Sequence, residues 1–378
     1  MTVATILLCA GGLALLIVGA ELLVRGASRL ATRLGMSQLV IGLTVVAFGT
    51  SAPELAVALK GTVSDHSGIA LGNIVGSNIL NVLMILGLSA LIAPLFVSRA
   101  LVRRDVPVMI GVSGIVLVLG LDHRFGRLDG LLLFGGLFVY LVLTIRHEKR
   151  RTVPREPNDE ARTNPKRSMR GGLLDLAFVL LGVPVMVLGA QWLVDGAASI
   201  AKAAGLSDLV IGLTLVALGT SMPEVVTSVT ASLRGQRDIA AGNVIGSNLF
   251  NLLCVLGLAS FLSPGGIDVS AAAIRFDLPI MVVVAFTCLP MFFTGGRISR
   301  TEGGILFLYY LAYAGYLVLA ATEHDHLPRF SAVMLYFAIP LTLLTLLIVA
   351  AGEFGRRRRA RPGGSDGGPP GDREGGRS

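Results

Sequence analysis

The stretch "GTSAPE", residues 49–54, places a carboxylate and a helix-breaking proline inside a long apolar run. The same pattern returns as "GTSMPE", residues 219–224. A carboxylate near the centre of a membrane helix costs about 2.5 to 3.5 kcal/mol on insertion scales, so it is expected to face a cavity or a bound ion. Two such stretches in matching places indicate a duplicated functional feature.

The composition is that of an integral membrane protein. Of the 378 residues, 53% are hydrophobic and only 15% are charged, whereas about 25% are charged in ordinary soluble domains. Apolar segments of about 20 residues, the length that spans the hydrocarbon core, recur along the chain. We count eleven, centred near residues 13, 49, 80, 112, 136, 183, 219, 250, 284, 312 and 340. The predicted fold class is therefore an all-α integral membrane protein.

The positions of the basic residues predict the orientation, because loops rich in Lys and Arg stay on the cytoplasmic side. With the N-terminus outside, most of the 32 Lys and Arg residues fall inside. The exceptions are Lys60, Arg124, Arg127, Lys202, Arg275 and Arg329. This predicts a multi-pass plasma (inner) membrane protein with an outer N-terminus and a cytoplasmic C-terminus. The basic residues are not interleaved with aromatics, so we expect the lipid bilayer, and no nucleic acid, as a partner.

An internal repeat is the strongest feature of the sequence. Residues 39–94 align without a gap on residues 209–264, and roughly half of the aligned positions are identical, which exceeds what shared membrane composition gives. The similarity extends upstream, where "GAELLVRGASRLATRLGMS" matches "GAQWLVDGAASIAKAAGLS", and downstream, where "RRDVP" matches "RFDLP". Each repeat is therefore about five helices long, and because five is odd, equivalent points of the two copies face opposite sides of the membrane. Inverted repeats of this kind recur in secondary transporters, whose ion site lies near the midplane where the copies meet.

The repeat divides the chain into a predicted first unit, residues 1–146, and a second unit, residues 173–322. Residues 147–172 between them are polar and contain prolines and charges of both signs, so they predict a cytoplasmic linker. An extra membrane helix is predicted over residues 330–352. The basic tail, residues 353–378, is rich in Gly, Pro and charge and is expected to be disordered.

The proline explains how a carboxylate can be used inside the membrane. Pro53 has no N–H and its ring clashes with the carbonyl four residues back, so the helix is expected to open near Gly49 and Thr50. Such broken backbone is tolerated only within protein or beside a water-filled cavity. A cation satisfies both needs, since Glu54 supplies charge while Thr50 and Ser51 supply neutral oxygens. The second copy offers Thr220, Ser221, Pro223 and Glu224.

The following helix adds further oxygens. Asn73, Ser77 and Asn81 fall at i, i+4 and i+8 and therefore lie on one face of the helix. The second copy repeats them as Asn243, Ser247 and Asn251. Small-and-polar faces of this type also serve only to join membrane helices. Beside the duplicated Pro-Glu pairs, the functional interpretation is favoured, because intramembrane acids mark functional sites.

The donor set indicates the class of ion. Its atoms are carboxylate, carbonyl, hydroxyl and amide oxygens with no Cys or His, which favours hard cations such as Ca²⁺ over zinc or copper. Two converging glutamates carry two negative charges, which one Ca²⁺ neutralises. Without a cation, the pair would place like charges in a poorly solvated pocket. Exchange of ions rather than uniport follows if the transporter rearranges only when it is loaded.

The stretches "GTSAPE…GNIVGSNILN" and "GTSMPE…GNVIGSNLFN" resemble the two alpha-repeats of the sodium/calcium exchanger family, within the cation/Ca²⁺ antiporter superfamily. The resemblance covers about residues 3–322, and the short central linker is of the prokaryotic type. It implies a ten-helix core in which Ca²⁺ and Na⁺ compete for sites on the second, third, seventh and eighth helices. It also implies that the first and sixth helices slide over the core and expose the site alternately to each side.

The resemblance also implies roles for particular residues. Glu54 and Glu224 are implied as shared carboxylates, and Thr50 and Thr220 as sources of carbonyl and hydroxyl oxygens. The residues implied to line the sodium sites are Ser51, Ser77, Ser221 and Ser247. Backbone carbonyls are implied at Ala47 and Ala217, and flanking amides at Asn81 and Asn251.

We expect a secondary antiporter that extrudes Ca²⁺ with the inward Na⁺ gradient, uses no cofactor and is not an enzyme. Some family members, including potassium-dependent ones, have an acid where this chain has Asn251, so the asparagine disfavours potassium co-transport. The sequence leaves open a proton/Ca²⁺ exchanger of the same fold. It also leaves open a cation channel or a non-transporting, Ca²⁺-responsive membrane scaffold, as well as the oligomeric state.

Overall fold

The structure, a computed structural model, describes residues 3–63, 67–151, 169–203, 217–293 and 296–321. Nearly all of these residues are helical, in agreement with the predicted fold class. The α-helices are α1 (Val3–Leu34), α2 (Gln38–Ile41), α3 (Ala47–Thr50), α4 (Ala52–Val63), α5 (Ser67–Leu80), α6 (Gly87–Ile92), α7 (Val106–Leu119), α8 (Arg127–Arg151), α9 (Met169–Ala203), α10 (Ala217–Thr220), α11 (Met222–Leu233), α12 (Arg237–Phe250), α13 (Leu256–Leu262), α14 (Leu278–Phe293) and α15 (Arg300–Ala321).

Several of these helices continue into one another through wider, π-helical turns. Within the described residues, the π-helical segments are Gly42–Val46, Asn81–Leu86, Leu101–Asp105, Asn251–Val255 and Ala273–Asp277. A single 3₁₀ turn is formed by Gly120–Asp122. Two of the π-helical segments begin at Asn81 and Asn251, which are matching positions of the sequence repeat. Such wider turns are rare and occur frequently at functional sites.

Eight helical stretches of the described chain are long and apolar enough to cross a membrane, and a bent pair of helices makes a ninth if it is counted as one span. These nine match the predicted first to sixth and eighth to tenth helices. The seventh predicted helix is described only from Ala217 onward. The predicted eleventh helix and the tail lie outside the described residues, and so does most of the linker, since α8 ends at Arg151 and α9 begins at Met169.

Two spans form the centre of the molecule. In the most apolar 18-residue stretch of each span, 78% of the residues are buried in Ala70–Ile92 and 89% in Arg237–Leu262. In the other unbent spans the buried share is only 11% to 39%. These two spans contain the small and polar residues of the repeat motif. Amide and hydroxyl groups find no partner in lipid, so the helices that carry them are expected to be enclosed by the others.

Glycines permit a close contact between the two copies of the repeat. A Cβ atom added to Gly242 would lie 2.9 Å from the carbonyl oxygen of Leu39, and one added to Gly246 would lie 2.8 Å from that of Leu43. Absence of a side chain here brings α12 against the helix that leads to Thr50. At the matching glycines of the first copy, Gly72 and Gly76, an added Cβ atom would meet no described atom within 4 Å, so of these four glycines only the two of the second copy make the close approach.

The long helices α1 and α9 form an antiparallel pair beside this centre. A Cβ atom on Gly19 would lie 2.8 Å from the carbonyl oxygen of Gly182, and one on Gly12 would lie 2.7 Å from that of Gly189. At one end of the pair, Arg33 of α1 forms an ion pair with the buried Asp175 of α9. Close backbone contact and this ion pair hold α1 and α9 together as one unit.

Four short strands were not predicted. Strand β1 (Leu95–Phe96) pairs antiparallel with β4 (Arg297–Ile298), and β2 (Arg124–Phe125) pairs antiparallel with β3 (Ile267–Asp268). The first pair joins two connections predicted to lie inside, and the second joins two predicted to lie outside. The pairings agree with the predicted order of crossings, while the absolute orientation stays a prediction.

The glycine contact at Gly242 can be tested by stability. Gly242→Ala should destabilise the protein by about 1 to 3 kcal/mol, because the added methyl group overpacks the contact with Leu39. The control is Gly111→Ala on the exposed surface of α7, where an added Cβ meets no described atom within 4 Å and where higher helix propensity should be neutral or stabilising. Thermal unfolding of both variants in detergent measures the difference, and equal midpoints would contradict the contact.

Candidate cation-binding site

Each Pro-Glu motif lies at a break between two helical segments. The segments on either side of the first break, Gln38–Thr50 and Ala52–Leu59, are bent by 41°. Ser51 at the break has φ −81° and ψ 6°, and Ser221 at the second break has φ −91° and ψ 5°. Pro53 and Pro223 follow in the first turn of the next helix, where a missing N–H costs nothing. The break therefore falls one residue after the predicted opening at Gly49 and Thr50.

The two breaks bring the glutamates into one buried network. The side chain of Glu54 is 0% exposed and that of Glu224 is 1% exposed. Ser51 donates a hydrogen bond to Glu224 Oε1 at 3.2 Å, and Ser221 donates one to Glu54 Oε1 at 3.0 Å. Each carboxylate is thus contacted by the serine of the other motif.

Ser77 joins the two motifs. Its hydroxyl lies 2.9 Å from the Ser221 hydroxyl and donates to Glu54 Oε1 at 3.4 Å. On the opposite side, the hydroxyl of Ser247 lies 3.4 Å from the Thr50 hydroxyl. Both Ser77 and Ser247 are buried. The serines of the central helices therefore line the same site as the glutamates.

The two threonines contact asparagines of the opposite repeat in the same way. Thr50 donates to Asn243 Oδ1 at 3.1 Å, and Thr220 donates to Asn73 Oδ1 at 3.0 Å. The carbonyl of Ala47 accepts from the Ser51 N–H at 3.0 Å and is a second acceptor within reach of the Thr50 hydroxyl, at 3.3 Å. It is therefore engaged within its own helix. Ala217 begins the matching helix α10.

The flanking amides differ from each other. Asn81 donates to Asn248 Oδ1 at 3.0 Å, whereas neither Nδ2 nor Oδ1 of the buried Asn251 has a hydrogen-bond partner among the described residues. Both asparagines stand at the start of a π-helical segment. In the described residues, neither amide is hydrogen-bonded to a glutamate, serine or threonine of the two motifs.

Several buried oxygens of this region lack a donor. Within the described residues, the buried acceptor atoms of these side chains without a hydrogen-bond partner are Glu54 Oε2, Glu224 Oε2, Asn78 Oδ1, Asn81 Oδ1 and Asn251 Oδ1. Buried polar atoms are nearly always satisfied in proteins, so a group of oxygens of this kind calls for a water molecule or a cation. No cluster of three or more His, Cys, Asp or Glu side chains suited to a metal occurs in the described part of the chain. Two carboxylates with neutral oxygens suit a hard cation.

Some residues of the site were not selected from the sequence. Asn243 and Asn73 were recognised on the helix face but were not assigned to the site, and Asn248 and Ser228 were not considered. Ser228 is buried and its hydroxyl accepts from Asn243 Nδ2 at 2.9 Å. Its spacing of four residues from Glu224 places it on the same helix face and is the signal that could have identified it.

Comparison with known proteins defines the class. The sequence model of the family described as "Sodium/calcium exchanger protein" matches residues 4–146 and 174–319. The two matched regions are separated by residues 147–173. The chain belongs to the sodium/calcium exchanger family, and it is a multi-pass membrane protein of the cation antiporter class.

Individual relatives agree with this assignment. The chain is 32% identical over 334 residues to the sodium/calcium exchanger MaX1 of Methanosarcina acetivorans. This alignment covers 80% of this chain and 95% of the relative. It is 36% identical over 292 residues to the inner membrane protein YrbG of Escherichia coli, covering 76% of this chain and 89% of the relative. A solved structure of the sodium-calcium exchanger NCX_Mj matches with a TM-score of 0.71 and 30% identity, covering 82% of this chain and 98% of that structure.

The meeting of the two motifs can be tested by cross-linking. In a variant without the native cysteines Cys9, Cys254 and Cys288, the pair Ser77→Cys and Ser221→Cys should form a disulfide on oxidation, because the two hydroxyls lie 2.9 Å apart. After cleavage at a protease site engineered into the central linker, the two halves should stay joined until a reductant is added. Each single cysteine variant is the control. Halves that separate under oxidising conditions would contradict the structure of the site.

Proposed function

We propose that this chain is a secondary antiporter that exchanges Ca²⁺ for Na⁺ across the plasma (inner) membrane. Ca²⁺ binds between Glu54 and Glu224, and Na⁺ competes for sites lined by the serines of the two motifs. The observation that carries the proposal is the pair of fully buried carboxylates, each with one oxygen that has no donor among the described residues. The similarity to proteins named as sodium/calcium exchangers supports the choice of ions.

The remaining site residues have roles in this proposal. Thr50 and Thr220 supply hydroxyl and carbonyl oxygens, and Ser51, Ser77, Ser221 and Ser247 supply hydroxyls to Na⁺. Asn81 and Asn251 flank the centre. Ala47 and Ala217 offer backbone carbonyls, although the Ala47 carbonyl must first give up its bond to Thr50. No cofactor is required, since the transported ions themselves are the ligands.

The charge of the site explains why transport should be coupled. Two carboxylates removed from water and close together are unfavourable unless a cation accompanies them. One Ca²⁺ or more than one Na⁺ provides the missing charge. A protein that rearranges only with a neutralised site must return with a different cation, and this produces exchange.

The architecture we propose is a core of two inverted five-helix repeats with an eleventh helix after it, an outer N-terminus and a cytoplasmic C-terminus. The crosswise hydrogen bonds between the motifs and the matching π-helical segments support the inverted relation. The pair α1 and α9 contacts the core through an ion pair between Glu21 and Arg234. Movement of this pair over the core would expose the site alternately to each side.

Transport in proteoliposomes tests the function. Vesicles loaded with Na⁺ should accumulate labelled Ca²⁺ when diluted into Na⁺-free medium, and dissipation of the Na⁺ gradient should stop the uptake. Uptake that ignores Na⁺ but follows a pH gradient would identify a proton/Ca²⁺ exchanger instead. Currents that persist without any counter-ion would identify a channel, and binding without flux would identify a scaffold.

Substitution of either carboxylate tests the site. Glu54→Gln and Glu224→Gln should each reduce uptake to the level of protein-free vesicles, because loss of one charge from a buried ionic site costs about 3 to 5 kcal/mol, or more than about a hundredfold in affinity. The control is Asp122→Asn on the exposed turn Gly120–Asp122, which should transport normally. A glutamine variant that folds and still exchanges would refute the assignment.

A further inference from the structure

The two halves of the site are chemically matched except at one pair of positions. Ser228 follows Glu224 by four residues, whereas the matching residue after Glu54 is Ala58. Both are fully buried. The hydroxyl of Ser228 accepts a hydrogen bond from Asn243 Nδ2 at 2.9 Å, and Ala58 has no side-chain group that could do the same.

This difference decides how firmly each asparagine is held. Asn243 Nδ2 donates to the Ser228 hydroxyl at 2.9 Å and makes a longer contact, 3.5 Å, with the backbone carbonyl of Glu224. In the other half, Asn73 Nδ2 is buried and has no hydrogen-bond partner among the described residues. In both halves the asparagine Oδ1 accepts a hydrogen bond from a threonine. Only in Asn243 does Nδ2 also have a hydrogen-bond partner among the described residues.

The orientation of Asn243 is transmitted to Thr50. A carbonyl oxygen can only accept, so the contact with the Glu224 carbonyl requires the amide nitrogen on that side and places Oδ1 opposite Thr50. The Thr50 hydroxyl has one proton and two acceptors within reach, Asn243 Oδ1 at 3.1 Å and the Ala47 carbonyl at 3.3 Å. With the proton on either of them, the Thr50 oxygen accepts nothing from the Asn243 amide and keeps its lone pairs available to a cation. An amide turned the other way would donate to this oxygen and occupy one of those lone pairs.

We propose that Ser228 is a positioning residue that fixes the amide of Asn243, and through it the hydroxyl of Thr50, in a geometry suited to Ca²⁺. The Thr220 half lacks this support, because Ala58 has no hydroxyl and the amide nitrogen of Asn73 has no acceptor among the described residues. Ligand groups fixed in advance bind more tightly, since less ordering remains to be done on binding. This inference rests on the proposed function, in that it assumes Ca²⁺ binds at this site.

Equilibrium binding of labelled Ca²⁺ to the purified full chain tests the role of Ser228, together with Na⁺-dependent uptake in vesicles. Ser228→Ala should raise the Kd and the KM for Ca²⁺ by about fivefold, the effect of losing one net hydrogen bond, with an unchanged maximal rate. Ala58→Ser should lower both constants, because it offers Asn73 Nδ2 the missing acceptor. Thermal unfolding of each variant identifies any that fail to fold.

The matched control is Ser232→Ala. Ser232 is buried on the same helix, but its hydroxyl donates to the Ser228 backbone carbonyl at 2.8 Å. Equal Kd values for Ser228→Ala, Ser232→Ala and the unmodified chain would overturn the proposal, as would a lower maximal rate with an unchanged KM. If the unmodified chain binds Ca²⁺ but does not exchange it for Na⁺, only the proposed function fails, because the Kd comparison still tests Ser228. No Ca²⁺ binding at all would refute both.

Discussion

The structure depends on a reciprocal interaction between two buried carboxylates and two serines. Ser51 contacts Glu224 and Ser221 contacts Glu54, so each motif completes the environment of the other. The hydroxyls satisfy only one oxygen of each carboxylate, and the other oxygen of each has no donor among the described residues. Hydrogen bonds from neutral groups do not remove two like charges from a buried site, and in the function proposed above a cation supplies the missing positive charge.

Other features of the fold serve this interaction. Breaks in the helices at Ser51 and Ser221 turn the glutamates inward, and glycines of α12 allow the two copies to approach within backbone contact. The helices that carry the asparagines and serines are the most enclosed of the unbent spans described. Ser228 then makes the two halves unequal. In a transporter with inverted halves, such a difference would give the site different affinities when it opens to the two sides of the membrane.

The sequence predicted the nine spans that the structure describes and picked out most of the buried polar residues that lie together at the two breaks, because hydropathy and an internal repeat are local or periodic signals. It did not predict the two strand pairs, since two residues carry no recognisable alternation and the pairing depends on distant connections. It also missed Ser228, whose partner Asn243 belongs to the next helix. A site carbonyl was expected at Ala47, yet this atom already accepts a hydrogen bond from the Ser51 N–H and lies 3.3 Å from the Thr50 hydroxyl. Such contacts follow from helix packing and not from residue spacing.

The central claim is that both carboxylates hold one and the same Ca²⁺. Equilibrium binding of labelled Ca²⁺ to the purified chain and to the single and double glutamine variants of Glu54 and Glu224 tests it most directly. The account predicts one tightly bound Ca²⁺ per chain, lost completely in either single variant. Half of the binding retained in each single variant, with complete loss only in the double variant, would show two independent sites and contradict the account.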